Sequence, residues 1–363
     1  DAFSKKVGPL SIQKPLDERM KDIEEYWKLS SFDGPIPKEA ISLMVTEFNK
    51  IRGIRLRLEK EVVKNMILST NSGSPYFTKR KLVVNKITPV RLRNLGVNIK
   101  MLPDDKNSWL CAVLLGWRGQ EGGPSPDDVK QRTVFMMPLS LNIQEHRFYQ
   151  PFIEAVQRTC LIPAYVSLDA VEKHVTKLFD TKDPDELVIA TDFSKMDHHY
   201  NKCMQKITAS VISRFTHTKS DSKEWLDQIF PLKYNIPLYC SDSIMIEGDH
   251  GMGSGSSGTN GDESIGHRTL QHEAARSAGQ VLNIKSLYLG DDGILSYKGI
   301  TVEHVVETYK RFGMDMNPEK QYSGEGEYVY LRRWYHTKFR TNSIMKGVYS
   351  TYRAIGRLMG QER

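Results

Sequence analysis

At 363 residues and 41.6 kDa the chain exceeds one ordinary core and, at roughly 100–200 residues per domain, predicts two or three modules, ample for an enzyme. Its 26% charged and 9% aromatic residues describe a globular chain and exclude extended disorder, collagen-like repeats and coiled coils. The net charge of +7 is unevenly spread: thirteen Lys/Arg face two acids from Lys50 to Lys100, eight face one from Leu331 to Arg363, and the remainder sums to −11. An acidic middle between basic flanks suits a metal-dependent centre approached through phosphate-binding walls, and equally two solvated surfaces.

The longest apolar run, Trp109 to Trp117, is nine residues, under half of the roughly 20 that cross a bilayer, so no membrane span is expected. Cys111, Cys160, Cys203 and Cys240 form no CxxC pair; neither a zinc site nor a disulfide framework is expected, and a reducing interior fits. The chain opens on Asp1 without a secretory segment and stops at Arg363, so a portion of something longer is expected.

In chain order, Ile41, Met44, Val45, Phe48 and Ile51 recur at helical spacing and predict a basic helical element from Lys38 to about Leu68. Thr70 to Pro75 is turn chemistry, and Gly119 to Asp128 reads as a flexible loop. Leu187 to Thr191 predicts a strand buried on both faces and ending at Asp192. The stripe Met196, Tyr200, Cys203, Ile207, Val211 and Phe215 predicts one helix with Asp197 in its first turn. A Gly/Ser loop, Gly251 to Gly258, runs into a helix carrying Ile265, Leu270, Ala274 and Ala278. Ile284 to Leu289 and Ile294 to Tyr297 flank Gly290-Asp291-Asp292-Gly293, a hairpin with the two acids as its turn. Thr301 caps a helix ended by Gly313, Asn317-Pro318 precedes Lys320, and Tyr328 to Tyr335 forms another hairpin. Mixed helices and hairpins point to an α+β layered fold.

Asp192, Asp291 and Asp292 converge if their strands are neighbours. Such carboxylates raise one another's pKa unless hard cations neutralise them, and an all-oxygen donor set favours Mg²⁺ or Mn²⁺ over zinc. Two ions about 3.5–4 Å apart would clamp an in-line phosphoryl displacement. Taken alone, Asp291-Asp292 is better read as an ordinary turn, and it is the company of Asp192 and the Gly/Ser loop that favours the metal site. The Gly/Ser loop satisfies GxGxxG without a βαβ context and lacks a Walker lysine; a plain linker and a phosphate-holding loop at a helix N-terminus stay open, the second using the local geometry better. His198 and His199, adjacent early in a helix, point to different faces and suit packing or RNA contact more than zinc.

Asp192-Phe193-Ser194-Lys195-Met196-Asp197 resembles motif A of viral RNA-dependent RNA polymerases, Ser254-Gly255-x-x-x-Thr259 motif B, and Gly290-Asp291-Asp292 motif C. Thr70-x-x-Gly73-x-Pro75 resembles motif G, Lys130-x-Arg132-x-Val134 motif F, Lys320 stands where the motif D lysine is expected, and Tyr330-Leu331-Arg332-Arg333 resembles motif E. These elements run in family order from about residue 70 to 335, and the local wording is most similar to picobirnavirus-type polymerases of double-stranded RNA viruses.

The resemblance implies a right-hand polymerase with an antiparallel-sheet palm carrying the GDD hairpin: an N-terminal helical extension (1–69), fingers (70–185), palm (186–335, with a fingers insertion near 216–250) and the start of a thumb (336–363), the rest absent. It implies that Asp192 and Asp291, assisted by Asp292, hold two Mg²⁺ or Mn²⁺ ions. Asp197 would sense the ribose 2′-OH, Lys130 and Arg132 neutralise the triphosphate, and Ser254, Gly255 and Thr259 contact the nucleotide. Where the family often has Asn four residues after the Thr, this chain has Glu263, so Glu263 or Asn260 completes the ribose contact. Lys320 would protonate the pyrophosphate, with an ordinary surface lysine as the alternative. Thr70, Gly73, Ser74 and Pro75 would guide template RNA, and Arg332 and Arg333 nascent RNA. Implied partners are RNA, nucleoside triphosphates and viral capsid protein, with no membrane, in the virion interior or host cytoplasm. The rival readings are a reverse transcriptase, disfavoured by the small Asp197, a non-catalytic RNA-binding protein on a polymerase-like core, and remotely a nicotinamide-linked enzyme at the Gly253 loop.

Overall fold

The computed structural model describes residues 14–90, 92–95, 98–101, 109–120, 130–218, 220–316, 318, 321–351, 354, 355 and 358. Helix α1 (Leu16–Ser30) buries Arg19, Ile23, Tyr26 and Ser30 at helical spacing, and α2 (Lys38–Glu47) buries Ala40, Ile41 and Met44. The basic stretch expected as one helical element is broken. A 3₁₀ turn (Asn49–Ile51) and Gly53, at φ +82°, lead to a separate α3 (Glu59–Lys64). The cause is tertiary: the N–H groups of Gly53 and Ile54 both donate to the Phe215 carbonyl, at 2.8 and 2.9 Å, which a continuing helix would not permit. After the single turn α4 (Val84–Ile87), strands β1 (Leu92–Leu95), β2 (Asn98–Met101) and β3 (Trp109–Leu110) form an antiparallel sheet. Strand β4 (Val113–Gln120) pairs along its length with β5 (Lys130–Met136). Gly119 and Gln120 of the expected loop continue β4, and the remainder of that loop lies outside the described residues.

The long α5 (Leu139–Thr159) and α6 (Leu168–Thr181, its first turn capped by the Ser167 hydroxyl) precede β6 (Val188–Thr191), which is buried throughout, as a continuous apolar run predicts. The stripe expected on one helix divides between α7 (Met196–His199) and α8 (Lys202–Phe215). All six stripe residues are buried, yet the Asn201 side chain accepts the Met204 N–H at 3.1 Å and starts the second helix afresh. After α9 (Ser220–Gln228), β7 (Leu238–Ser241) and β8 (Ile244–Ile246) form a hairpin that joins β4 in parallel, giving the sheet order β5-β4-β7-β8.

Then follow α10 (Thr259–Ser277), β9 (Leu287–Leu289), β10 (Asp292–Leu295) and α11 (Val302–Lys310), the last capped by Thr301 as expected. Strand β11 (Tyr322–Gly324) completes an antiparallel sheet ordered β11-β6-β10-β9. The chain continues as β12 (Glu327–Tyr330), β13 (Arg333–His336), β14 (Arg340–Thr341), β15 (Ile344–Met345) and β16 (Val348–Tyr349), with β12, β13 and β16 in one sheet. The architecture is α+β. Among the described residues, no helix is long and apolar enough to cross a membrane.

Helix α10 is the centre of the fold: every residue from Gly261 to Ala275 is buried although many are polar. Burial of so many polar groups is tolerable only where each is bonded. Arg268 donates to both Glu47 oxygens of α2 at 2.8 and 3.0 Å, and the His272 ring lies 2.8 Å from Glu47. Asp262 accepts from the Tyr149 and Tyr234 hydroxyls at 2.6 and 2.7 Å and pairs with Lys233 at 3.0 Å, with both charged side chains 0% exposed.

Candidate active site

The strands bring the acids together by register. Thr191 faces Gly293 and Ala190 faces Ile294, so the next pair outward sets Asp192 opposite Asp292. On the other side of β10, Asp292 pairs with Leu289, which makes Gly290-Asp291 the hairpin turn. The turn is thus one residue earlier than the Asp291-Asp292 turn expected from the bracketing glycines: Gly290, at φ +58°, occupies the first turn position, where a primed turn demands a positive φ, and Asp292 belongs to the strand. Burial pushes the Asp292 carboxyl up to about 6, with the charges of Asp291 and Asp192 adding and Arg332 opposing. Asp291 is raised as well, by burial and by Asp197 and Asp192, against the pull of Arg132. Arg132 Nη2 stands 4.0 Å from Asp291 Oδ2, and both side chains are about half exposed.

Two hairpin carboxyls whose proton affinity is raised by burial and by neighbouring negative charge, standing beside Asp192, are the oxygen donors that hard divalent ions neutralise, so these residues fit Mg²⁺ or Mn²⁺. Among the described residues, the one group with ligand atoms all within 4.8 Å of one another is elsewhere: Asp22, Glu25 and His198. There the cation is already supplied. Lys195 Nζ bonds Asp22 at 2.8 Å and also Glu25, while His198 stacks on Tyr26 with ring centroids 3.8 Å apart, the packing role expected for this histidine.

Helix α10 sets the hairpin from beneath by a polar stripe that sequence reading missed. The Gly290 N–H donates to Ser264 Oγ at 2.9 Å, the His267 ring contacts the Gly290 carbonyl at 2.9 Å, and Gln271 Nε2 donates to the Leu287 carbonyl at 3.0 Å. The spacing 264, 267, 271 is one helix face, and that periodicity of polar residues was the available signal. A Cβ built on Gly290 would lie 2.9 Å from Asn260 Nδ2 and 3.3 Å from Glu263 Oε2, so both candidates for the ribose contact abut the acidic turn. Asn260 is further engaged by the Tyr165 hydroxyl, which donates to its Oδ1 at 2.6 Å. Burial, together with the charge of Asp197 and a hydrogen bond to it, raises the Glu263 carboxyl well above the usual range, which favours the protonated acid as donor to Asp197.

The Gly/Ser loop is packed rather than free. Ser254 Oγ donates to the Thr133 carbonyl at 3.0 Å, Thr259 Oγ1 to those of Gly253 and Ser256 at 3.3 and 3.2 Å, and a Cβ on Gly255 would fall 1.8 Å from the Phe135 carbonyl oxygen. Loop and motif G turn are bridged through α5. Arg80 donates to Asn142 at 2.9 Å, Asn142 to Ser257 Oγ at 3.2 Å, and Glu145 accepts the Ser257 N–H at 2.9 Å. Within the turn, Thr70 Oγ1 donates to the Ile67 carbonyl at 3.4 Å and Gly73, at φ +65°, presses on the Met137 carbonyl; Ser74 and Pro75 are half-buried.

Lys130 and Arg132 both belong to β5, the Lys130 side chain lying outside the described residues, as does Lys320. Arg332 occupies the β12–β13 turn, where it and Leu331 take φ of +60° and +50°. Arg333 is held within its sheet, donating to the Gly347 carbonyl at 3.2 Å and lying over the Tyr349 ring. The structure also adds Gln321, unremarked in the sequence, which bonds the Asp192 backbone.

A family profile described as viral RNA-dependent RNA polymerase matches residues 127–349. The chain is 49% identical over its whole length to a protein of human picobirnavirus (strain Human/Thailand/Hy005102/-) described as a potential RNA-dependent RNA polymerase, covering 68% of that protein. It superimposes on the crystal structure of the RNA-dependent RNA polymerase of a human picobirnavirus with a TM-score of 0.95 at 49% identity, covering 99% of this chain and 69% of that one. The insertion-loop deletion mutant of a human picobirnavirus polymerase gives a TM-score of 0.94 at 48% identity, covering 98% and 70%.

Proposed function

The chain belongs to the viral RNA-dependent RNA polymerases, right-hand nucleotidyltransferases that copy an RNA template from nucleoside triphosphates, and on that premise we propose that Asp192 and Asp291, assisted by Asp292, hold two divalent ions at its centre. Mg²⁺ or Mn²⁺ bound there would activate the attacking 3′-hydroxyl and neutralise the pyrophosphate. One observation carries the reading: the β6–β10 register sets Asp192 opposite Asp292, beside the turn that presents Asp291.

The remaining assignments follow from what each residue offers. Arg132, already drawn to Asp291, and Lys130 supply fixed positive charge to the triphosphate. Asp197 accepts the ribose 2′-hydroxyl, and the proton on Glu263 keeps the paired carboxyls from repelling each other; Asn260 lies at the same turn. Ser254, Gly255 and Thr259 shape the wall that meets the nucleotide, and Lys320 is the proton donor to pyrophosphate. Thr70, Gly73, Ser74 and Pro75 guide the template, while Arg332 with Arg333 faces the nascent strand. We assign residues 1–69 to the N-terminal extension, 70–185 to fingers, 186–335 to palm with the 216–250 insertion in the fingers, and 336–363 to the start of the thumb; β7 and β8 in the β4–β5 sheet support the insertion. Operation inside a virion beside capsid protein is part of the proposal and rests on the family alone.

The test is incorporation of labelled ribonucleotides on an RNA template with Mg²⁺. Asp291→Asn, removing one charge at the turn, is expected to lower turnover by about a hundred- to a thousandfold. A variant as active as the parent would remove Asp291 from the site.

A further inference from the structure

Asp192 stands where the sheet lacks backbone partners. The β6–β11 ladder ends with Ala190 paired to Tyr322, and the next bridge joins Phe193 to Met316, with the Ser194 N–H donating to the Asp315 carbonyl at 3.0 Å. Between these fixed points the Gln321 side chain takes the place of a strand. Its Oε1 accepts the Asp192 N–H at 2.9 Å and its Nε2 donates to the Asp192 carbonyl at 2.9 Å. Gln321 is itself anchored, being 8% exposed with its N–H donating to the Pro318 carbonyl at 3.2 Å. An amide is the side-chain group that can satisfy a peptide N–H and its C=O together, as a neighbouring strand would. With both groups gripped, the Asp192 peptide cannot rotate, and the direction in which its Cβ leaves the chain is set.

We propose that Gln321 is a positioning residue for metal binding: by clamping both backbone polar groups of Asp192, its amide fixes the direction from which that carboxylate meets the divalent ion. The proposal rests on Asp192 being a metal ligand, the reading given above. Removing a partner that orients a ligand commonly costs about 10–100-fold in metal affinity, because a carboxylate free to swing must be ordered each time an ion arrives.

The experiment compares Gln321→Met, which keeps the length and packing of the side chain but loses both bonds, with Gln321→Asn, which keeps the amide on a chain too short to span both groups. Mn²⁺ binding is read by electron paramagnetic resonance without nucleotide, alongside the Mg²⁺ dependence of turnover, KM for nucleotide at saturating Mg²⁺, and thermal unfolding. In both variants the Mn²⁺ dissociation constant and the Mg²⁺ needed for half-maximal activity should rise about tenfold or more, with KM at saturating Mg²⁺ unchanged. A purely structural role would lower the unfolding temperature and leave Mn²⁺ affinity within about twofold of the parent, and that result overturns the clamp. Gln321→Asn, the milder change, decides the matter should Gln321→Met fail to fold. Asp192→Asn separates the two readings: if it binds Mn²⁺ and turns over normally, the metal assignment fails; if it is defective while the Gln321 variants bind normally, only the clamp fails.

Discussion

Replacing Lys233 with Met tests how the helix behind the acidic hairpin is held. Lys233 is fully buried, 3.0 Å from Asp262, 2.7 Å from the Tyr149 hydroxyl it donates to, and 4.2, 4.9 and 5.3 Å from the centroids of Phe230, Tyr149 and Tyr234. Methionine fills nearly the same space, so the loss is electrostatic. Asp262 would keep its two tyrosine donors and lose its counter-charge, and removing one partner of a buried pair costs about 3–5 kcal/mol. At about 2 °C per kcal/mol for a chain of this size, the unfolding temperature should fall by about 6–10 °C. The same change removes the charge that pulls down the pKa of buried Glu145, the acceptor of the Ser257 N–H, so that carboxyl protonates more readily and its hold on the Gly/Ser loop weakens. Differential scanning fluorimetry with urea titration of the fluorescence of buried Trp225 measures the loss. The double variant Lys233→Met/Asp262→Asn has no orphaned charge and should recover about 1–3 kcal/mol relative to additive expectation. An unshifted single variant, or strictly additive effects, would refute the claim that charge compensation at Asp262 holds α10 in place.

Other outcomes follow from the site. Because protons compete with metal at a carboxyl raised to about 6, Mn²⁺ affinity should climb as pH rises through that value and level off above it; a flat profile from pH 5 to about 7 would place Asp292 outside the metal shell. Gly255→Ala drives a methyl carbon to 1.8 Å from the Phe135 carbonyl, so a destabilisation of about 3 kcal/mol with loss of activity is expected, and an unaffected protein would show that the loop does not sit there during turnover. In the ratio of kcat/KM for ribo- over deoxynucleotides, Asp197→Ala should lose about two orders of magnitude. Glu263→Gln, still a donor to Asp197, should keep most of the ratio; equal loss in both variants contradicts the protonated bridge.

What could be read before folding is what neighbouring residues decide. The buried strand ending at Asp192, the Thr301 cap and the helix after the Gly/Ser loop all carry local signals, and all are present. The phase of the acidic turn did not, since glycine on both sides permits either register; the pairing of Thr191 with Gly293 chooses between them, and that partner is about a hundred residues away. The break at Asn201 was hidden because capping and apolar periodicity compete at that point and the stripe stays buried on both sides of it. The roles of Ser264, His267, Gln271 and Gln321 depend on backbone groups that arrive from other elements.

The attachment of the first two helices constrains the order in which the molecule can be made. Helix α1 reaches Gly116, Lys195 and Glu247, and the Glu47 carboxylate at the end of α2 is matched by Arg268 and His272, the latter 225 positions downstream. At a synthesis rate of about 5–20 residues per second, Glu47 leaves the ribosome about 10–45 seconds before its partner does. Through that interval α2, which buries Ile41 and Met44 and packs against α10, lacks that partner. Helix α2 therefore completes its packing only once α10 has been made, and a nascent chain halted before His272 should be held by chaperones or clump.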